Sequence, residues 1–357
     1  MTESRTKAYR LALIGLGRVA WLLERDPLRT KPCTHLGAWL ERDDVELVGA
    51  CDTDPERRAA FAEFFPEVPL YDDYQEMLEQ ERPELLSICA YATERCEMVL
   101  AATEGGVRGI WCEKAMATSL EEADRMARAL DASGTQMIVA FTRRWSPAYA
   151  TVRDWLAAGR IGAFESVNVH FASNLLHTGT HAFDVLRLWC GEPTAVRAWL
   201  DDDSGLAEQS GYRFDGQDIV EDLGGLVVIE FPDGVRATVQ GRDKGYFRFE
   251  FELLGSRGMI RLGNDQRQLW LPGSSMHFAG FMELCEAEFP EPAPFNTWRS
   301  AAENLIAAVE GRAESACGIR DGREALAIAL AAHVSHRQGG APVAPAEVPT
   351  DLRVPSR

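Results

Sequence analysis

Three groups of residues in this 357-residue chain have types and spacings that can do chemistry. The first is Gly15-Leu16-Gly17-Arg18-Val19-Ala20, which fits the pattern GxGxxG/A. It follows an apolar run and leads into a helical pattern, the context its mechanism needs. The first glycine permits a tight turn and the second lets backbone approach a pyrophosphate at a helix N-terminus. Ala20 keeps helix and strand close, and Leu16, Arg18 and Val19 complete the phosphate loop. Asp52 closes the next apolar run. A carboxylate there accepts the adenosine ribose hydroxyls and repels a 2′-phosphate, which favours NAD over NADP. Arg57 and Arg58 are the counter-signal, more simply read as a solvated helix face. The second group is Glu113-Lys114 at the end of the apolar run Gly109–Cys112. Ligands of open α/β sheets bind at carboxyl ends of strands, where an ammonium can hold a substrate oxygen and stabilise developing negative charge. The third is His177, His181 and Asp184. Imidazoles there suit proton exchange near neutral pH, or the three could form a facial metal set. No HExxH glutamate accompanies them, and a dinucleotide-binding half argues for hydride chemistry, so no metal is expected.

The elements that must position these groups fall into two patterns. Apolar runs at Tyr9–Ile14, Val45–Cys51, Leu85–Ala90, Gly109–Cys112 and Met137–Phe141 alternate with helical stretches at Pro55–Phe65, Tyr74–Glu81, Glu94–Glu104 and Ser119–Ala132. That alternation predicts a doubly wound parallel sheet over residues 1–142. Ser119 with Glu121 and Glu122 is a good helix start. Strands then follow one another without helices between them: Ser166–Ala172, Ala195–Leu200, Leu223–Phe231, Val235–Gln240, Phe247–Leu254 and Met259–Leu262. Asp233-Gly234 marks a hairpin turn. This predicts an α+β domain over 143–338, an open, mostly antiparallel sheet flanked by helices at His181–Cys190, Trp298–Glu310 and Asp321–Gln338. The Pro- and Ala-rich tail, 339–357, is expected to be mobile or wrapped on the surface.

One spacing is irregular. Asp52 lies 32 positions after Ala20, against roughly 20 in the usual fingerprint. The excess falls in Trp21–Thr34, where Asp26-Pro27 and Lys31-Pro32 break the helix. An insertion behind the phosphate loop belongs near the cofactor or the mouth of the site, and Arg29 or Lys31 is a candidate contact for an acidic substrate group.

Composition excludes several classes. Hydrophobic residues make up 46% and charged residues 26% of the chain, a globular balance, and the net charge is -18. So acidic a surface repels phosphate backbones, which argues against nucleic acid and anionic membranes as partners. The acidic runs Asp201-Asp202-Asp203 and Glu286–Glu291 read as solvated loops. No signal-peptide core or membrane-length apolar run is visible, and eight cysteines without a CxxC pair suit free thiols, so a cytoplasmic location is expected.

The landmarks also occur in a familiar order. Gly15–Ala20 and Ala50-Cys51-Asp52 come first, then Tyr71-Asp72-Asp73-Tyr74 and Glu81-Arg82-Pro83-Glu84. Trp111-Cys112-Glu113-Lys114, Ser119–Ala123, Arg143-Arg144-Trp145-Ser146-Pro147, Gly159–Gly162 and Gly179-Thr180-His181-Ala182-Phe183-Asp184 follow. In this order the chain resembles the glucose-fructose oxidoreductase / inositol dehydrogenase / rhizopine-catabolism (Gfo/Idh/MocA) oxidoreductases over residues 9 to 335. The resemblance implies a Rossmann domain, a sheet domain that often builds the oligomer interface, and a sugar- or polyol-like substrate. It implies that Lys114 touches the hydroxyl being oxidised and that His181 exchanges its proton, with Asp184 orienting His181 or holding a substrate hydroxyl. Arg144 and Trp145 would line the substrate pocket, and Tyr91 and Thr93 the cofactor ribose. The chain departs from the family pattern in three places. Ala115 stands where proline is usual, His177 where aspartate is usual, and Arg95 where many relatives have histidine.

The expectation is an NAD(P)-dependent dehydrogenase acting on a carbohydrate- or cyclitol-type secondary alcohol, assembled as a homodimer or homotetramer through the C-terminal sheet. Two other readings stay open at this point. One is an NAD-retaining lyase or glycosidase that uses transient oxidation; the other is a non-catalytic NAD-binding regulator.

Overall fold

A computed structural model describes residues 8–201, 222–242, 246–264 and 266–356. The chain divides into two compact units, the first comprising residues 1–145 and 296–323, the second 146–295 and 324–356.

The first unit holds six parallel strands: β1 (Tyr9–Ile14), β2 (Val45–Cys51), β3 (Leu70–Tyr71), β4 (Leu85–Ile88), β5 (Gly109–Cys112) and β6 (Gln136–Val139). Their spatial order is β3-β2-β1-β4-β5-β6. Residues 11–14 of β1 and every residue of β4 and β5 are buried, as strands covered on both faces must be. The helices between them are α1 (His35–Leu40), α2 (Pro55–Ala62), α3 (Tyr74–Glu81), α4 (Ala92–Glu104) and α5 (Leu120–Ser133). Local chemistry starts several of them. Asp54, Asp73 and Ser119 accept from the main-chain N–H of Glu56, Gln75 and Glu122 at the N-termini of α2, α3 and α5.

Helix α8 (Thr297–Val309) also belongs to this unit, although sequence order groups it with the second half. The reason is its apolar face: Ala301, Ala302, Leu305 and Ile306 pack with Leu11, Leu85, Trp111 and Ile138. Gly109 permits the close approach, since a Cβ there would lie 2.7 Å from Val309 Cγ2.

The second unit contains α6 (Pro147–Ala157) and α7 (Thr180–Cys190), and part of α9 (Ile319–Arg337). Its eight strands are β7 (Phe164–Phe171), β8 (Ala195–Leu200), β9 (Gly225–Glu230), β10 (Arg236–Gly241), β11 (Phe249–Gly255), β12 (Gly258–Gly263), β13 (Arg267–Ser274) and β14 (Met282–Ala287). The order is β14-β13-β12-β11-β7-β10-β9-β8. Among the described residues, only β7 and β10 of this sheet pair in parallel. Burial alternates along β7, β9, β10 and β11, so one face is covered and the other is open. The turn expected at Asp233-Gly234 joins β9 to β10, with φ of 63° and 80° at its two residues. β13 and β14 had no counterpart in the sequence reading. Glu286, expected in a solvated loop, lies in β14. Asp201 pairs with Arg242 at 2.9 Å, while Asp202 and Asp203 lie outside the described residues. Val343, in the C-terminal stretch, forms a bridge with Val196 and is buried with Val348 and Val354.

All eight cysteines are free. Burial pushes the thiols of Cys51, Cys112 and Cys190 up to about 12. Among the described residues, no helix is long and apolar enough to cross a membrane.

Candidate active site

The glycine turn sits where the strand order reverses. β1 lies between β2 and β4, so the loops after β1 and β4 leave the sheet in diverging directions and open a crevice. Gly15 has φ +85°, and a Cβ on it would lie 2.7 Å from Ala90 N and 2.8 Å from Cys89 C, at the end of β4. Only glycine fits that cradle. Gly17 faces open space: the nearest atom to a Cβ there is Arg57 Nη1 at 3.9 Å. Tight backbone at the first glycine and room at the second is what a pyrophosphate requires. Arg18 is exposed, Leu16 buried and Val19 half-buried.

The helix behind this turn is interrupted in an unusual way. Trp21 N–H bonds Gly17 O, and the chain then leaves through a 3₁₀ turn, Leu22–Arg25. Val19 O and Ala20 O accept instead from His35 N–H (3.2 Å) and Leu36 N–H (2.9 Å). In a continuous helix those donors would be Leu23 and Glu24, four residues on. His35 therefore resumes the helix in the place of Leu23, and the looped-out insertion is twelve residues long (35 less 23). The same twelve residues account for the excess spacing to Asp52. Within the loop, Lys31 Nζ donates to Leu23 O (2.9 Å) and Asp26 O (2.7 Å), and Arg29 pairs with Asp26 at 3.3 Å. Both cations considered as substrate contacts are thus engaged by the loop itself.

Asp52 is buried at the end of β2. Its Oδ2 accepts Leu16 N–H at 2.7 Å and lies 3.5 Å from Arg57 Nη1, and its Oδ1 accepts Asp54 N–H at 2.9 Å. Arg58 Nη1 donates to Asp52 O at 2.6 Å and Thr53 O at 3.0 Å. Reading Arg57 and Arg58 as a solvated face therefore needs correction. Both belong to the Asp52 network, and a hydrogen bond with Tyr91 raises the Arg57 guanidinium above its ordinary value. Tyr91 precedes α4 and is exposed, while Thr93 lies in the helix's first turn.

Lys114 follows β5 and is half-buried. Its N–H donates to Glu113 Oε2 at 3.2 Å. The other Glu113 oxygen, Oε1, lies 3.2 Å from His35 Nε2, with both side chains buried. His35 Nδ1 in turn meets Ser87 Oγ at 3.3 Å, and Trp39 Nε1 donates to the same hydroxyl at 2.9 Å. Burial alone would push the Glu113 carboxyl up; the His35 hydrogen bond, with the charges of Lys114 and Arg95, outweighs it and holds the group below its ordinary 4.5. The helix that resumes after the insertion thus orients the residue beside Lys114. His35 carries no local signal in the sequence, because its partner is 78 positions away. Arg95 is also buried: Nε and Nη2 donate to Ala90 O (2.9 and 2.6 Å), and Nη1 donates to Ala115 O. The Lys114–Ala115 peptide bond is cis.

Arg144 and Trp145 follow β6, in a 3₁₀ turn. Arg144 Nη2 pairs with Asp321 Oδ1 at 2.9 Å. Trp145 Nε1 donates to Asn304 Oδ1 at 3.3 Å, with its ring packed on the core. Both have structural partners in the first unit.

The second unit carries His177, His181 and Asp184. His177 lies exposed in a π-helical turn, Leu175–Gly179, that runs into α7. His181 is half-buried in the first turn of α7, near Phe249, and Asp184 is fully buried one turn on. Asp222 holds the start of this segment: its Oδ1 and Oδ2 accept the N–H groups of Leu176 (2.9 Å) and His177 (3.0 Å). Asp222, absent from the sequence reading, is backed by buried His333 Nε2 at 3.7 Å. Among the described residues, no group of three His, Cys, Asp or Glu side chains is placed to hold a metal ion.

A parallel sheet with a glycine cradle at its switch point and an acidic residue ending the next strand defines a dinucleotide-binding fold. Residues 10–141 match the model of an oxidoreductase family with an NAD-binding Rossmann fold, and 149–261 match the GFO/IDH/MocA C-terminal domain. The chain belongs to the Gfo/Idh/MocA family. A D-apiose dehydrogenase of Paraburkholderia graminis is 27% identical over 95% of this chain and 90% of its own. An inositol 2-dehydrogenase of Burkholderia multivorans is 24% identical over 71% of this chain and 73% of its own. Among solved structures, the WlbA dehydrogenase from Bordetella pertussis in complex with NADH and UDP-GlcNAcA superposes with a TM-score of 0.71 at 21% identity, over 95% of this chain and 99% of that one. A putative NADPH-dependent oxidoreductase from Desulfitobacterium hafniense gives 0.77 at 17% identity, over 96% and 99%.

Proposed function

We propose that this oxidoreductase oxidises a secondary alcohol of a small polyhydroxylated substrate, an aldose or a cyclitol, with NAD as hydride acceptor. One observation carries the reading. The six strands of the first sheet run parallel, so the glycine turn after β1, Asp52 after β2, Tyr91 after β4 and Lys114 after β5 all leave from its carboxyl edge. The Gly15 cradle and the open space at Gly17 fit a dinucleotide pyrophosphate, held by the loop Gly15–Val19. Asp52 would take the adenosine ribose, with Tyr91 and Thr93 beside it. When bound, the nicotinamide ring supplies the hydride acceptor. The substrate class is that of the curated relatives, which are named for D-apiose and inositol.

The chain's own groups then have defined tasks. The Lys114 ammonium holds the carbinol oxygen and stabilises the negative charge that develops on it. Glu113, fixed by His35, orients the lysine through the Lys114 N–H. His181 takes the hydroxyl proton, and Asp184 orients that imidazole or holds a neighbouring hydroxyl. His177 replaces the family's aspartate with a group that can donate as well as accept, and sets which substrate hydroxyls are tolerated. Arg144 and Trp145 shape the substrate side. Further copies of the chain assemble through the second sheet, where Met282 in β14 and Met276, Phe278 and Phe281 in the connection between β13 and β14 are exposed large apolar groups.

The test is NADH formation from D-apiose and myo-inositol by wild-type, K114A and H181A proteins. Loss of one general acid–base or charge-stabilising group lowers kcat by about 10²- to 10⁴-fold. An undiminished rate in K114A refutes the assignment. NAD retained through purification with no net NADH from either substrate would favour the transient-oxidation lyase, and binding without any turnover would favour the regulator.

A further inference from the structure

Two of the three positions at which the family resemblance implies a different residue touch each other. Arg95 donates from Nη1 to the carbonyl of Ala115. The same guanidinium donates from Nε and Nη2 to the carbonyl of Ala90, at 2.9 and 2.6 Å. We propose that Arg95 is a positioning residue for Lys114, a fork that fixes the segment carrying the lysine to the wall of the dinucleotide cradle. The proposal rests on the role given to Lys114 above.

The geometry runs as one chain of contacts within the first unit. Ala90 N is the atom that stands 2.7 Å from the position of a Cβ on Gly15, so the Ala90 peptide forms the back of the glycine turn. Arg95 lies one turn into α4, 3% exposed, and reaches from that wall across to the residue after Lys114. A planar guanidinium has five N–H donors in a rigid fork and can serve two carbonyls at once; an ammonium at the end of a flexible stem holds neither in a set direction. The lysine ammonium sits at the end of a long side chain rooted in that main chain, so fixing the main chain narrows the positions the ammonium can reach. A proline at 115 would restrain that main chain by fixing its own φ. Alanine does not, and the guanidinium bonded to the Ala115 carbonyl supplies the restraint from outside.

Buried arginines also stabilise folds in general, so the readouts must separate the two roles. The variants are R95K and R95K/A115P in the full-length protein. One readout is hydrogen exchange of the 112–118 segment. Removing about one net hydrogen bond from that segment, roughly 1.4 kcal/mol, should speed its exchange about tenfold while the amides of β1 and β4 keep their protection. The other is steady-state kinetics with NAD and D-apiose or myo-inositol. A displaced lysine lowers kcat by about 10- to 100-fold, with the KM for NAD changed less than about threefold. In R95K/A115P, the proline should restore most of the lost kcat and of the lost protection. Unchanged exchange at 112–118 in R95K overturns the proposal, as does a loss of protection spread evenly over the unit. If R95K/A115P does not fold, the exchange and kinetics of R95K decide alone. An undiminished rate in K114A would remove the lysine's role, while the exchange measurement still decides whether Arg95 holds the segment.

Discussion

Substituting the two glycines of the phosphate turn by alanine should separate folding from cofactor binding. Gly15 has φ +85°, a region that costs an L-residue about 1–2 kcal/mol. Its new Cβ would sit 2.7 Å from Ala90 N and 2.8 Å from Cys89 C. Both are backbone atoms that cannot rotate aside, so the turn or the end of β4 must move, adding about 1–3 kcal/mol of overpacking. G15A should therefore lose about 2–5 kcal/mol, which lowers the melting temperature by about 5–15 °C in a unit of this size. Gly17 differs on both counts. Its φ is not positive, and the nearest atom to its Cβ is Arg57 Nη1, 3.9 Å away at the end of a flexible side chain. G17A should keep its melting temperature within about 2 °C, because nothing in the protein is displaced. What the methyl fills is the space assigned to the pyrophosphate. NAD binding by calorimetry should weaken at least tenfold, about 1.4 kcal/mol. Wild-type affinity in G17A would refute the placement of the phosphates, and an unchanged melting temperature in G15A would refute the cradle.

The remaining predictions concern the support behind Lys114. The Glu113 carboxyl is held below its ordinary 4.5, with burial opposed by His35 and by the charges of Lys114 and Arg95. A depressed folded-state value gives stability that is present above 4.5 and lost as pH falls through the folded value. Between pH 5 and about 3, wild-type stability in urea should thus fall more steeply than that of E113Q, and equal slopes would show that the pair contributes nothing. H35A leaves Glu113 Oε1 buried without its imidazole hydrogen bond and should cost about 1–3 kcal/mol by the same measurement. Deleting residues 23–34 joins Leu22 to His35 in the register the main-chain bonds already use. The deletion should fold with its helical circular dichroism intact, whereas an unfolded product would show that the loop, not the helix, holds this region.

How much of this was legible depends on how local each signal is. The glycine turn, Asp52 and the Ser119 cap are set by a few neighbouring residues, and the structure has Asp52 bonded to the Leu16 N–H of that turn and Ser119 accepting from Glu122. The proline pairs at 26–27 and 31–32 marked the break in the first helix. They could not show that His35 picks up the carbonyl of Val19, because that register is decided by packing on the sheet. The strand β13 contains Pro272 and Gly273, residue types that interrupt a strand pattern; the structure keeps both in the ladder, opposite Leu284 and Glu283 near the sheet's edge. Only the end of β14, Glu286 and Ala287, falls in the run expected to be an acidic loop, and the strand shows no buried alternation that would have marked it.

The support of Lys114 was illegible for a further reason. His35 and Glu113 lie 78 residues apart, and Arg95 grips Ala115 from the adjacent helix. None of these pairs has a periodic or short-range signature. The family resemblance did offer an indirect trace: it implies other residues at 95 and 115, and no element boundary explained either. A departure at one site invites a local account, such as a looser lysine. Two departures that meet in space carry different information, because a polar group introduced into a buried position must find an acceptor there. The guanidinium at 95 finds its acceptors at the Ala90 and Ala115 carbonyls. That requirement, applied to every unexplained buried polar residue in a chain, is how supporting residues can be sought before a structure is known.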